Sequence, residues 1–88
     1  MIDIKIDIND FDYLVKSNLS DDIKSVLYKN HIKEFNTIFL TLEKVSADSI
    51  LDFLSDELCR VGLEQNDEPN KTGVMIENII DKFSRAVY

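Results

Sequence analysis

Residues Met1 to Ile8 alternate strictly in polarity, with Ile2, Ile4, Ile6 and Ile8 on one side and Asp3, Lys5 and Asp7 on the other. A period of two is the pattern of a strand with one buried face. On a helix the same isoleucines would scatter around the axis, so this end of the chain is committed to extended structure. A lone strand is not stable and needs a partner edge. Elsewhere only Thr37 to Leu42 has strand character, and that segment fits a helix as well.

The remaining apolar residues recur at helical spacing. Asn9 or Asp10 can cap a short helix that places Phe11, Leu14 and Val15 on one side. Ser20 is the next N-cap. Asp21 and Asp22 in the first turn favour the dipole of a helix reaching about Asn30, which would bury Ile23, Val26 and Leu27. From His31 to Val45, the residues Ile32, Phe35, Ile38, Phe39, Leu42 and Val45 form a stripe ~140° wide, the pattern of a core helix. No Gly or Pro precedes Gly62, so a break near Asn30 rests on cap chemistry alone. Ser46-Ala47-Asp48 opens another helix, with Ile50, Leu51, Phe53, Leu54, Leu58 and Val61 on one face and Gly62 as its C-cap. Glu64 to Thr72 holds the single proline and reads as a loop. A closing helix then buries Ile76, Ile79, Ile80, Phe83 and Val87.

These segments predict a mainly α fold. The expectation is a compact bundle of four to five helices with a short extended or β-strand amino-terminal segment, residues 1–88 forming a single helical domain. The alternative is an α+β fold with a small sheet.

Charge narrows the function. The chain has 17 acidic and 10 basic residues and a formal net charge of -7, a balance that repels nucleic-acid backbones and anionic lipid heads. It favours encounter with a basic protein, or simply aids solubility. Cys59 is the only cysteine, so no internal disulfide can form, which suits a reducing compartment. Neither a basic leader with an apolar run nor a stretch of ~18–20 apolar residues is present, so a soluble cytoplasmic protein without membrane contact is expected.

The inventory for catalysis is thin. One histidine, one cysteine and no Gly-rich loop supply neither a phosphate cradle nor a zinc site, so no enzyme activity, cofactor or metal is expected. His31 falls on an apolar stripe and reads as structural. Cys59 points away from the apolar side of its helix, with only Arg60 nearby to lower its pKa. Asn66-Asp67-Glu68-Pro69-Asn70 crowds oxygen ligands, but Pro69 and Lys71 interrupt the spacing a calcium loop requires.

The most informative feature is the charge between Ser46 and Asn70, where Asp48, Asp52, Asp56, Glu57, Glu64, Asp67 and Glu68 face Arg60 alone. Asp48, Asp52 and Asp56 lie ~40° apart in succession opposite the buried stripe, making one exposed ridge. Like charges at this spacing cost about 0.2–0.5 kcal/mol per pair. The helix dipole can account for Asp48, and pairing with Arg60 for Asp56, leaving Asp52 without a local explanation. Asp52, Asp56, Glu57, Glu64, Asp67 and Glu68 are therefore the candidate partner-binding residues, with Tyr13, Tyr28 or Tyr88 as aromatic anchors. The edge of the amino-terminal strand is a second candidate contact, for a partner's sheet or a second copy in a homodimer, although internal pairing or burial of that strand is the favoured reading.

A short, acidic, helical chain with an acidic helix and loop resembles the immunity proteins of toxin-producing bacteria, of the colicin and contact-dependent growth inhibition kinds. The segment Asn70 to Phe83, Asn-Lys-Thr-Gly-Val-Met-Ile-Glu-Asn-Ile-Ile-Asp-Lys-Phe, is similar in style to the closing helix of colicin D-type immunity proteins. The paired tyrosines before a proline that mark the nuclease-colicin immunity proteins are absent. The resemblance implies a cognate inhibitor that binds a basic toxin domain, commonly a nuclease, and covers its active site or substrate groove. A homo-oligomeric regulatory or adaptor protein without catalytic activity is the alternative.

Overall fold

The computed structural model describes residues 1–61 and 70–88. Their order is β1 (Ile2–Asp7), α1 (Ile8–Lys16), α2 (Asp21–Lys29), β2 (His31–Glu34), β3 (Thr37–Leu42), α3 (Lys44–Val61) and α4 (Lys71–Val87). The fold is α+β, with helices packed on a three-stranded antiparallel sheet of order β1-β3-β2. The expected mainly α bundle is corrected at one place, residues 31–42, which form a β-hairpin and not a core helix.

The correction follows from the unpaired strand. β1 needs an edge, and Thr37–Leu42 supplies one in which Ile2, Ile4 and Ile6 stand opposite Leu42, Leu40 and Ile38. Facing isoleucines and leucines form a strip buried beneath the helices. Cross-strand packing of this kind stabilises a sheet pair by pair. A helix over 31–45 would have left β1 without a partner, and the tertiary requirement overrides the local period. Of the six residues in the expected helical stripe, only Ile38 and Leu42 are buried; Ile32, Phe35, Phe39 and Val45 are exposed.

Cap chemistry sets the remaining boundaries. Asp7, the last residue of β1, is also the N-cap of α1, so the cap lies two or three residues before the expected Asn9 or Asp10. Asp7 Oδ1 accepts from the Asp10 backbone N–H at 2.8 Å, and Asp10 Oδ2 accepts from the Asp7 N–H at 3.3 Å, closing a capping box. Ser20 caps α2 as expected. At the other end of α2 the Asn30 backbone and side-chain amides both donate to the Val26 carbonyl, at 3.1 and 2.9 Å. His31 Nδ1 lies 2.8 Å from the Tyr28 carbonyl. That nitrogen must carry the proton, because a carbonyl can only accept. These bonds occupy the final carbonyls, and the helix stops at Lys29 without Gly or Pro.

α3 begins at Lys44, before the expected Ser46-Ala47-Asp48, and α4 at Lys71, where Asn70 Oδ1 accepts from the Gly73 N–H at 2.8 Å. The proposed Gly62 cap and most of the Glu64–Thr72 loop lie outside the described residues. α4 packs against α3 and β1. Its residues Ile76, Ile79 and Phe83 are fully buried and share one core cluster with Ile50 and Leu54 of α3, Leu14 of α1 and the inner face of the sheet.

One pair of substitutions separates the hairpin from a helix. Both Ile32 and Ile38 belong to the helical stripe, yet Ile38 is buried and Ile32 is 66% exposed. Chemical denaturation should find Ile38→Ala destabilised by about 2–5 kcal/mol and Ile32→Ala by less than about 1 kcal/mol. Comparable losses at the two positions would contradict the sheet.

Candidate functional site

The candidate site is the solvent side of α3. Ala47, Ile50, Leu51 and Leu54 point into the core, which directs Asp52 and Asp56, one turn apart, to solvent. Asp48, one turn earlier, is partly covered, and its Oδ2 pairs with Lys44 Nζ at 3.1 Å. Because the helix starts at Lys44, no acid lies in the first turn, and the i,i+4 partner replaces the dipole as the local explanation for Asp48. Arg60 pairs with Glu57 and not with Asp56. Asp52 and Asp56 are thus the two acids of the ridge that make no ion pair among the described residues.

Glu57 belongs elsewhere. Only 7% exposed, it receives the Arg60 guanidinium and the Tyr13 hydroxyl, whose Oη donates to Glu57 Oε2 at 3.3 Å. Its carboxylate is engaged within the chain, and Glu57 is removed from the outward-facing set. By helical spacing Glu57 follows Leu54 by three residues and Ile50 by seven, which places it on the buried side of α3, ~100° around the axis from Asp56. The period therefore signals its burial, whereas the Tyr13 hydroxyl that meets the carboxylate comes from α1, 44 positions away. Glu64, Asp67 and Glu68 lie outside the described residues.

The three tyrosines fall in different settings. Tyr13 is half-buried in the Glu57 network; Tyr28 is exposed but packs edge-on against Phe11 at 6.1 Å between centroids; Tyr88 is exposed, with Lys44 Nζ 6.0 Å from its ring centre. The His31 ring is half-buried 4.7 Å from Phe11, and Cys59 is exposed.

A second acid missed on sequence is Asp10, 4% exposed and bound by Lys82 Nζ at 2.5 Å. This contact, with Asp7 3.8 Å from the same ammonium, fastens α4 to the β1–α1 junction. Burying a carboxylate demands such a partner. It is a structural tie across 72 positions of sequence.

Among the described residues no group of three or more His, Cys, Asp or Glu side chains could hold a metal ion, and no helix is long and apolar enough to cross a membrane. No family model matches the chain, nor does any curated protein or solved structure.

The Glu57 network has a titration signature. Burial raises the Tyr13 hydroxyl above its ordinary value of 10.0, and the Glu57 carboxylate adds to the shift by charge and by hydrogen bonding. The folded protein therefore holds this proton more tightly than the unfolded chain. The associated stability is complete below pH 10.0 and is lost as pH rises through the folded value. In an ultraviolet phenol titration Tyr13→Phe should remove a late-ionising group, and Glu57→Gln should move the Tyr13 midpoint downward. An unmoved midpoint in Glu57→Gln would break the assigned contact.

Proposed function

We propose that the chain is a non-catalytic inhibitor of immunity or antitoxin type, which binds a basic cognate toxin domain, a nuclease being the natural class, through acidic surface. The observation that carries this reading is the pair Asp52 and Asp56. The two carboxylates sit one turn apart on a helix whose other side is locked into the core, without a cation among the described residues to neutralise them. Their mutual repulsion costs the isolated helix about 0.2–0.5 kcal/mol. A basic surface would turn that cost into attraction.

A nuclease binds phosphates through lysine and arginine side chains, and carboxylates at fixed spacing can take the place of phosphates on such a surface. A net charge of -7 adds long-range steering toward the cation and suppresses wrong encounters. Glu64, Asp67 and Glu68 extend the acidic set by sequence. A reducing, intracellular site of action fits the single unpaired cysteine. The second reading, a homo-oligomeric adaptor, draws on the apolar residues exposed on the sheet; a mass that rises with concentration in light scattering would favour it.

The deciding partner is a basic protein encoded beside this chain, purified and tested for a stoichiometric complex. Asp52→Asn with Asp56→Asn should slow its association roughly 2–10-fold at low salt and flatten the salt dependence, with little change in dissociation. Unchanged kinetics would remove α3 from the interface, and failure of any basic neighbour to bind would end the proposal.

A further inference from the structure

The sheet has two faces, and the helices cover one. On the other, Phe39 of β3 lies between Lys5 of β1 and Ile32 of β2 in register, and Phe35 occupies the two-residue turn that joins β2 to β3. Ile32 is 66% exposed and Phe39 38%, neighbours on this face, and Phe35 at the hairpin tip is 95% exposed. A shallow groove of about 240 Å³ runs beside Phe39, between it, Asp3, Lys5 and Thr41.

Phe35 is disfavoured twice. Its φ is 54°, the only positive value at a non-glycine residue among those described, in the left-handed region where a bulky side chain crowds its own backbone. Glycine or asparagine is the ordinary occupant of such a turn. The ring also meets water over almost its whole surface. Asparagine would remove both penalties, so neither local conformation nor the chain's own core explains a phenylalanine here. Strain coinciding with an exposed aromatic is the pattern of a recognition anchor.

We infer that the outer sheet face, with Phe35 at its tip and Ile32 and Phe39 behind it, is a docking surface for a cationic protein segment with an apolar side. The inference rests on the reading of the chain as a binder of a basic protein, and adds where the desolvated centre of that contact lies. Charge selects the occupant. Asp3, held by a hydrogen bond from Thr41 Oγ1 at 3.1 Å, and Glu34 stand at the perimeter of the patch as exposed carboxylates. Asp7 is shared with Lys82, and Lys5 is the one outward ammonium on β1. An apolar centre rimmed by carboxylates, on a chain of net charge -7, accepts lysine or arginine around an aliphatic knob. A second copy is the poorer occupant, because two chains of this net charge repel each other.

The test is an amide-shift titration of the folded chain with three peptides. One is an amphipathic helix of Lys and Leu, one its Glu and Leu counterpart, and one oligolysine. The Lys/Leu peptide should saturate with shifts centred on residues 32–39, and the other two should leave those residues unmoved. Phe35→Asn should weaken that binding at least ~10-fold, the size of an anchor truncation, with thermal stability equal to or above that of the parent. Ile32→Thr with Phe39→Thr, which keeps strand-compatible residues, should weaken it likewise. Binding confined to Asp52 and Asp56 of α3, or undiminished by Phe35→Asn, would overturn the sheet-face assignment and leave the acidic-inhibitor reading standing. Absence of binding by both cationic peptides would overturn the two together. Self-association through residues 32–39 in the free chain would assign the face to a second copy and overturn the inference.

Discussion

The antiparallel pairing of β1 with β3 is the contact on which the rest of the molecule depends. It joins residues 30 to 40 positions apart and buries Ile4 and Ile6 against Leu40 and Ile38. Without it β1 has no edge, the hairpin has no central strand, and α4 loses the surface against which Phe83 and Ile79 pack. The same pairing fixes parity: with Ile38, Leu40 and Leu42 turned inward, Phe39 must turn outward. The exposure of the aromatic face is therefore a consequence of how β1 is satisfied and is not a separate feature.

Polar contacts then fix the helices relative to that sheet. Two acids are drawn inside and each finds a cation. Lys82 reaches Asp10 from α4, and Arg60 covers Glu57, to which Tyr13 of α1 also donates. Removing one partner from such a contact leaves an uncompensated buried charge, which is more damaging than the net worth of the pair. What remains outside is an acidic helix side on α3 and an apolar sheet face.

Much of this was legible in the residues. The period of β1, the Ser20 cap, the buried stripe of α4 and the outward aspect of Asp52 and Asp56 all follow from local chemistry. The hairpin did not, for two reasons. Its turn is Phe35-Asn36, with none of the Asn-Gly or Asp-Gly character that marks such turns. Its apolar residues also satisfy a helical period, and only the long-range demand of β1 decides between the two. Glu57 and Asp10 stand at helical spacing from Leu54 and Leu14, so their burial follows from the period, and only the Tyr13 and Lys82 partners that satisfy them come from distant elements. A core helix over residues 31–45 would place Ile32, Phe35 and Phe39 inside, whereas the hairpin leaves them exposed on and beside the sheet.

The state of residues 31–42 is thus the hinge of both fold and surface, and solution NMR reads it directly. Cross-strand contacts linking Ile4 with Leu40 and Ile32 with Phe39, extended-type carbon shifts through Thr37–Leu42 and slowly exchanging amides on β3 are the predicted result. Helical shifts running unbroken from His31 to Val45, with no contact between β1 and that segment, would contradict the account at its base.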